Sequence, residues 1–436
     1  DISYDFKDAK IGTLFTKEAY QLFKELELKS LFKYFDEEEK EEETLEVVTT
    51  SDLGEVENIF SSIKKSGQAG LGVIGVSGNC KGISLTWKEG TVLALIGGFV
   101  TEDYLKEKIV ELLKEGTELI VLDYKALLHF VEEVRGYESQ IQDVGIQAYL
   151  LNPLQSAYDY EDIARDYLRQ MLPSRKEICG KKAIEEVFEA EEEKTVQMAA
   201  YLSYVPFHAY PLVLEKLKEQ EMEELYLTIE RPTVATLYDM EKYGITVEKD
   251  ALKEYGDQLI GRIEELEQNI YEKAGKTFNI NSPKQLGVIL FEKLGLPLEY
   301  TKKTKTGYST AVDVLERLAP IAPIVSKILE YRQIAKIQST YVIGLQDWIL
   351  EDGKIHTRYV QDLTQTGRLS SVDPNLQNIP VRLEQGRLIR KAFVPEEENS
   401  VLLSSDYSQI ELRVLAHISG DEHLIDAFKH GADIHT

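Results

Sequence analysis

The residues best suited to chemistry lie in the stretch VLLSSDYSQIELR, residues 401–413. A short apolar segment predicts a strand that leads to Asp406, and the residues after it predict an amphipathic helix. A carboxylate at such a strand-to-helix turn is often a ligand of a divalent metal ion. An aspartate there is also a common turn residue or helix cap, so this stretch alone leaves both interpretations open.

The residues before this stretch form a local basic region in an acidic chain. The 436 residues include 76 Asp and Glu against 50 Lys and Arg, and the formal net charge is −26. Between residues 354 and 395 seven basic residues face three acidic ones, a local charge of +4. The overall charge argues against nucleic-acid binding by the whole surface, whereas this region predicts a local cationic surface.

A loop in this basic region, TQTGRLSSVDPNLQNIP, is rich in hydrogen-bond donors and acceptors. Its polar side chains could do no more than satisfy the turns of the loop itself. They could equally contact the minor groove of a duplex, where every base pair presents similar acceptors. Donors of this kind test base-pair shape without reading sequence. The candidate residues are Arg368, Asn375, Gln377 and Asn378.

Composition excludes several other classes of protein. The chain is 43% hydrophobic and 29% charged, as globular proteins are, and no apolar run has the length of a membrane span. The sequence does not open on a basic segment followed by an apolar one, which favours a cytoplasmic location. Cys80 and Cys179 are too few for a disulfide framework or a zinc site.

The order of elements predicts a multidomain chain of the α/β and α+β classes. Residues 1–44 indicate a helical tail with an acidic linker, and residues 45–210 indicate one α/β domain. Residues 211–350 are helical in pattern, and residues 351–436 return to short strands and loops. Apolar residues between 249 and 273 form one long stripe, which predicts packing against a second long helix.

A lysine-rich loop interrupts the helical part. The segment TKKTKTGYST carries Lys302, Lys303 and Lys305 among hydroxyl groups. It could be a solvated loop with no specific role. It could also be a basic tip that grips phosphates, because Lys and Thr side chains contact a nucleic-acid backbone regardless of its sequence.

Several of these segments together resemble DNA polymerase family A, and within it the bacterial DNA polymerases I. The resemblance is carried by TGRLSSVDPNLQNIP, RLIRKAFVP and LLSSDYSQIELRVLAHISGDEHLIDAF. It extends upstream through EYRQIAKIQSTYV, FNINSPKQL and LYDMEKYGITVE. It is strong over residues 225–436 and weaker over residues 45–210.

The resemblance implies a fold and a metal site. Residues 45–210 would be a ribonuclease H-like domain of the 3′-5′ exonuclease type, residues 211–350 a helical thumb, and residues 351–436 the first part of an antiparallel-sheet palm. Asp406 and the carbonyl of Tyr407 would bind Mg²⁺, two ions of which serve the complete enzyme. Glu411 would lie beneath the incoming sugar and exclude a 2′-hydroxyl. Alternatively, Ser408-x-x-Glu411 could be a helix capping box.

The same resemblance implies contacts to primer-template DNA and deoxynucleoside triphosphates, bound by a monomer. The donor-rich loop would follow the minor groove near the primer terminus, and the lysine loop would lie at the tip of the thumb. Arg382 would add a basic group near the groove. His435 would touch the nucleotide phosphates.

The chain departs from the family in the exonuclease-type domain. The chemistry of that domain needs acids on its first strand and at two later motifs. The first strand, GLGVIGVSGN, has no acid, and Leu127 and Leu202 occupy the two later acidic positions. The sequence therefore predicts a folded but inactive domain that acts as a scaffold.

A second departure concerns the polymerase motifs. Family members continue into a fingers helix and a second metal-binding aspartate, neither of which occurs within these 436 residues. The expectation is that the chain as given does not polymerise DNA. Three hypotheses follow: a DNA polymerase of replication gap filling and repair, a non-catalytic module that binds primer-template DNA, and an acidic helical scaffold unrelated to DNA.

Overall fold

The computed structural model describes residues 14–26, 28, 31, 34–35, 44–305, 307–380 and 384–431. These residues form two compact units, each of which comprises two stretches of chain. The first unit comprises Asp1–Gly244 and His356–Asn378, and the second comprises Ile245–Ile355 and Ile379–Thr436. The donor-rich loop therefore belongs to the first unit and Asp406 to the second. The four domain ranges given above remain predictions.

The first unit contains both strands and helices, whereas helices dominate the second. The strands are β1 Val47–Thr50, β2 Gln68–Ile74, β3 Gly82–Trp87, β4 Gly90–Leu95, β5 Glu118–Val121, β6 Ile141–Asp143, β7 Ile245–Thr246, β8 Lys303–Thr304, β9 Gly307–Tyr308, β10 Lys354–Ile355, β11 Arg358–Val360 and β12 Ser370–Val372. The α-helices are α1 Lys17–Glu25, α2 Leu53–Ser66, α3 Glu102–Lys114, α4 Tyr124–Phe130, α5 Val144–Leu151, α6 Tyr160–Ile163, α7 Arg175–Cys179, α8 Ile184–Val187, α9 Glu193–Glu219, α10 Glu223–Leu225, α11 Arg231–Tyr243, α12 Lys249–Ala274, α13 Pro283–Gly287, α14 Val312–Leu318, α15 Pro323–Lys336, α16 Gly344–Gln346, α17 Glu384–Arg390, α18 Ile410–Ser419 and α19 Glu422–Lys429.

A mixed sheet of six strands organises the first unit, in the order β1-β4-β3-β2-β5-β6. Strands β2, β3 and β4 are antiparallel neighbours, whereas β5 is parallel to β2 and β6 is parallel to β5. Leu71 on β2 lies opposite Leu85 on β3 and Val121 on β5. The apolar runs of the sequence predict β2 to β5 correctly, and the mixed α/β fold is confirmed.

Apolar side chains cover both faces of this sheet. On β5, Leu119 and Val121 join one core with helices α2 and α3, while Ile120 joins a second core with helix α9. Successive strand residues point to opposite faces, so both faces are buried. Helix α9 lies very close to β2, because a Cβ atom added at Gly70 would lie 2.3 Å from the Ser203 carbonyl oxygen. Glycine allows this close approach.

Long helices form the core of the second unit. Helix α12 packs along α15, and the stripe predicted from the sequence is buried at Leu252, Leu266 and Ile270. A hydrogen bond of 2.9 Å from Arg262 Nε to Glu330 Oε1 joins the two helices. The predicted packing of one long helix against another is therefore confirmed.

The predicted strand before Asp406 is wrong. Residues 401–407 form no regular element, and Val401 and Leu403 are 83% and 89% exposed. A strand needs a neighbour to satisfy its backbone N–H and C=O groups, and no strand within the described ranges pairs with this segment. The helix that follows is present as α18, although Val414 and Ile418 on its apolar face are exposed. No helix in the described part of the chain is long and apolar enough to cross a bilayer.

Candidate nucleic-acid interface and metal site

The donor-rich loop is built on an antiparallel pair, β11 and β12, in which Arg358 lies opposite Val372. Thr357 holds the base of this pair, because its hydroxyl lies 2.6 Å from Ser371 Oγ and 2.8 Å from the carbonyl oxygen of Pro374. The pair thereby joins residues 358–360 to residues 370–372 of the loop.

All four predicted groove-contact residues are exposed on this loop. Gln377 connects its two stretches: its Nε2 donates to the Leu369 carbonyl oxygen at 3.2 Å, and its Oε1 accepts from the Ser371 N–H at 3.2 Å. Asn375 Oδ1 accepts from the backbone N–H of Gln377 at 3.0 Å and of Asn378 at 3.2 Å. These side chains therefore do satisfy the turns of the loop, as one interpretation of the sequence expected. Their contacts with DNA remain predictions.

The loop is anchored to the sheet-containing part of the first unit. The Tyr149 hydroxyl donates to the Thr364 carbonyl oxygen at 2.7 Å, and the Thr364 hydroxyl donates to the Arg368 carbonyl oxygen at 2.6 Å. Gln361 Nε2 donates to the Glu230 carbonyl oxygen at 2.9 Å. Sequence reasoning missed Tyr149, because 215 residues separate it from its acceptor.

A second anchor is the carboxylate of Glu241, which is only 5% exposed. It accepts from Lys125 Nζ at 2.6 Å and from the Tyr359 N–H at 2.7 Å, and His129 Nε2 lies 2.6 Å from its other oxygen. Lys125 also donates to the Tyr359 carbonyl oxygen. Burial opposes ionisation of this carboxyl, but the hydrogen bonds from His129 and Lys125 outweigh it and lower its pKa. In the sequence, the cluster is indicated only by Lys125 and His129, whose spacing of four residues puts both side chains on the same face of α4.

The exonuclease-type positions meet at one cavity of about 540 Å³ in the first unit. Leu127 and Leu202 line it together with Leu71, Gly72 and Val73 of β2. The structure therefore brings the three predicted motif segments together, and their assignment to exonuclease motifs remains a prediction. A Cβ atom at Gly72 would lie only 2.4 Å from the Leu202 Cβ atom.

Two carboxylates near this cavity have structural partners. Asp123 caps helix α4 by accepting from the Ala126 N–H at 2.9 Å. Asp143 accepts from the backbone N–H groups of Tyr124 and Ile146, each at 2.9 Å. Complete burial and then the negative charge of Asp123 raise the pKa of Asp143 well above its ordinary value. No group of three or more His, Cys, Asp or Glu among the described residues could hold a metal ion.

The predicted polymerase metal site lies in the second unit and is open to solvent. Asp406, Tyr407 and Glu411 are exposed. Helix α18 begins after Gln409, which adopts a left-handed conformation at the N-cap, so Ser408 does not form the capping box considered above. The oxygen donors of Asp406 and the Tyr407 carbonyl suit Mg²⁺, which proteins often hold with one or two carboxylates, substrate phosphates and water. The metal-binding role of Asp406 remains a prediction.

The lysine loop is a small hairpin of β8 and β9. Lys303 lies opposite Tyr308, and its Nζ is 5.8 Å from the centre of the Tyr308 ring. The Thr304 hydroxyl donates to the Gly307 carbonyl oxygen at 2.8 Å. Lys302, Lys303 and Lys305 are all exposed. Arg382 and His435 lie outside the described residues.

Comparison with known proteins finds a family model that matches the C-terminal part of the chain. Residues 249–436 match the model of DNA polymerase family A. Over these residues the chain is similar to DNA polymerase family A. The match contains the donor-rich loop, the lysine loop and Asp406, so the resemblance found in the sequence is confirmed.

Relatives in this family are DNA polymerases I of bacteria. The chain is 60% identical to DNA polymerase I of Streptococcus pneumoniae R6 over 336 residues, which are 77% of this chain and 38% of that protein. It is 50% identical to DNA polymerase I of Bacillus subtilis strain 168 over 305 residues, 70% of this chain and 34% of that protein. The chain thus spans little more than a third of these relatives.

A solved structure of the family has a similar fold. It is the POL domain of Pol1 from M. smegmatis in complex with a DNA primer-template and dNTP. The TM-score is 0.73 at 31% sequence identity, and the match covers 89% of this chain and 65% of that one. Because neither unit alone makes up 89% of the chain, the match includes residues of both units.

Proposed function

We propose that the protein carrying this chain is a DNA-directed DNA polymerase, which adds nucleotides to a primer 3′-hydroxyl during replication gap filling and DNA repair. The observation that carries the proposal is the family A match, because it includes both Asp406 and the donor-rich loop. Its partners would be primer-template DNA and deoxynucleoside triphosphates. It would act as a monomer in the cytoplasm, on DNA of the nucleoid.

Sheet topology supports a finer assignment of the first unit. The order β4-β3-β2-β5-β6, with three antiparallel strands followed by two parallel ones, agrees with a ribonuclease H-like domain of the exonuclease type at residues 45–210. The packed pair α12 and α15 supports a thumb within residues 211–350. Residues 351–436 would then supply part of the palm.

Different side chains would have different roles in polymerisation. Asp406 and the Tyr407 carbonyl would hold Mg²⁺, which supplies charge neutralisation for the triphosphate. Glu411 would exclude nucleotides with a 2′-hydroxyl. Residues of the donor-rich loop would follow the minor groove, where uniform acceptors report correct pairing. They are Arg368, Asn375, Gln377 and Asn378, with Arg382 nearby and His435 at the nucleotide phosphates.

Primer extension tests this proposal. The protein that carries this sequence should lengthen a labelled primer when Mg²⁺ and four deoxynucleotides are present, and should stop before the template position of an omitted nucleotide. Duplex binding by that protein without extension would favour the non-catalytic DNA-binding module. Absence of any salt-dependent duplex binding would favour the acidic scaffold instead.

Charge removal from the lysine hairpin should weaken DNA binding uniformly. With Lys302, Lys303 and Lys305 replaced by alanine, we expect weaker binding to every duplex sequence, because phosphate contacts carry no sequence information. The slope of log K against log salt should fall by about 1 for each lysine that neutralises a phosphate. The control replaces the exposed Lys65, Lys88 and Lys114 and should leave the slope unchanged. Equal slopes for both triple variants would contradict a role in phosphate binding.

The exonuclease-type domain is proposed to be inactive. We expect no Mg²⁺-dependent trimming of single-stranded DNA from its 3′ end, because leucines stand at two positions where that chemistry needs acids and no group of three or more His, Cys, Asp or Glu among the described residues could hold a metal ion. Replacing both leucines by aspartate should not create activity, since β2 also lacks an acid and α9 crowds Gly72. Trimming by the unaltered, nuclease-free protein would refute this assignment.

A further inference from the structure

The segment His356–Asn378 packs with the sheet-containing unit, although residues 245–355 lie between it and Gly244 in the chain. Two anchors hold it there. Glu241 and Lys125 bind the backbone of Tyr359 near its start, and Tyr149 binds the carbonyl of Thr364 further along. The first anchor fixes strand β11, whereas the second reaches the loop that leads to Arg368.

The second anchor continues by hydrogen bonds to Arg368 itself. Tyr149 is 3% exposed on helix α5, so its hydroxyl donates from a buried and well-packed position. The Thr364 carbonyl accepts that bond at 2.7 Å, and the Thr364 hydroxyl donates to the Arg368 carbonyl at 2.6 Å. The main chain of an exposed arginine is thereby linked, through one residue, to the core of the exonuclease-type domain.

We propose that Tyr149 is a positioning residue for Arg368, so that the exonuclease-type domain holds the loop that contacts the primer-template groove. This inference rests on the polymerase function proposed above. A loop that adopts its binding conformation only part of the time binds more weakly in proportion to that fraction. The hydrogen bond from Tyr149 raises the fraction of the protein in which the loop has its binding conformation. The exonuclease-type domain thus contributes to DNA binding without catalysing a reaction of its own.

The test compares two matched tyrosines. Tyr149→Phe removes the hydroxyl that reaches Thr364. Tyr158→Phe removes a hydroxyl that donates at 2.6 Å to Asn152, an acceptor within the same domain. The two rings contact each other at 5.7 Å, both residues are buried, and each variant loses one hydrogen bond to a backbone carbonyl. Both variants should therefore lose similar thermal stability.

Only Tyr149→Phe should change DNA affinity and discrimination against mismatched primer ends. We expect its Kd for primer-template to rise about three- to tenfold, as expected for loss of one such hydrogen bond. Discrimination between paired and mismatched primer ends should fall, while the rate of primer extension at saturating DNA and nucleotide changes less than twofold. Tyr158→Phe should match the unaltered protein in all three measurements. Equal behaviour of the two variants in DNA binding would overturn the proposal.

A double-mutant cycle tests whether the effect passes through Arg368. If it does, Tyr149→Phe should weaken DNA binding no further once Arg368→Ala is present. Thr364→Ala, which removes only the second link, should resemble Tyr149→Phe. Additive losses in the cycle would overturn the route through Arg368. The polymerase proposal would itself fail if the unaltered protein neither bound nor extended a primer, a result independent of these variants.

Discussion

Asp406→Asn is expected to lower the rate of primer extension by about a thousandfold or more. A bound metal ion contributes several kcal/mol to stabilising transition-state charge, and each 1.36 kcal/mol corresponds to a tenfold change in rate. The amide cannot replace the charge of the carboxylate ligand, although it has almost the same shape. Single-turnover extension at saturating DNA and nucleotide measures the effect directly.

Two controls separate this loss from a loss of fold or of DNA binding. Primer-template affinity of Asp406→Asn should stay within about twofold, because the exposed carboxylate lies outside the donor-rich loop. Asp426→Asn changes an exposed aspartate on α19 that pairs with His430, and it should extend primers normally. Full activity of Asp406→Asn would exclude Asp406 from the metal site.

The second large effect is expected at Glu241. Replacing this residue with alanine should lower the free energy of unfolding of the protein by about 3–5 kcal/mol, because it leaves the charge of Lys125 without its buried partner. It also leaves the Tyr359 N–H without its acceptor. Denaturant unfolding at neutral pH measures the change. Glu241→Gln keeps an acceptor oxygen and should lose less stability.

The pH dependence of stability tests whether the charge of Glu241 causes the loss of stability in Glu241→Gln. The pKa of Glu241 is held below its ordinary value of 4.5 in the folded protein. Its contribution to stability is therefore complete above about pH 4.5 and is lost as the pH falls through the folded pKa. The difference in unfolding free energy between the unaltered protein and Glu241→Gln should shrink over that acidic range. A constant difference would indicate a loss of packing alone.

The pattern of apolar residues along the sequence was sufficient to predict the strands and helices whose buried side chains recur at regular spacing. The apolar runs of β2 to β5 and the stripe of α12 follow from side chains that each element must bury. The same reasoning failed at residues 401–403, where an apolar run has no neighbouring strand within the described ranges. Strand formation depends on a partner, and a run of apolar letters contains no information about its partner.

The polar contacts that organise the donor-rich loop could not be predicted in this way. Tyr149 and Thr364 are 215 residues apart, and Glu241 lies 112 residues from His129 and 118 from Tyr359. Such pairs leave no periodic pattern. Gln377 shows that residue type alone is ambiguous. Its amide suited both a contact with a duplex and the hydrogen bonds that it makes within the loop. Residue type indicates which bonds are possible, and geometry determines which are formed.

The close approach of α9 to β2 limits what protein engineers can build on this scaffold. Any side chain introduced at Gly70 or Gly72 would meet atoms of α9 at 2.3–2.4 Å, well inside van der Waals contact. A new carboxylate at either position therefore requires displacement of a 27-residue helix that also covers the core containing Ile120. A designer who wants a nuclease on this sheet must first redesign the backbone, because no set of single substitutions supplies the missing space.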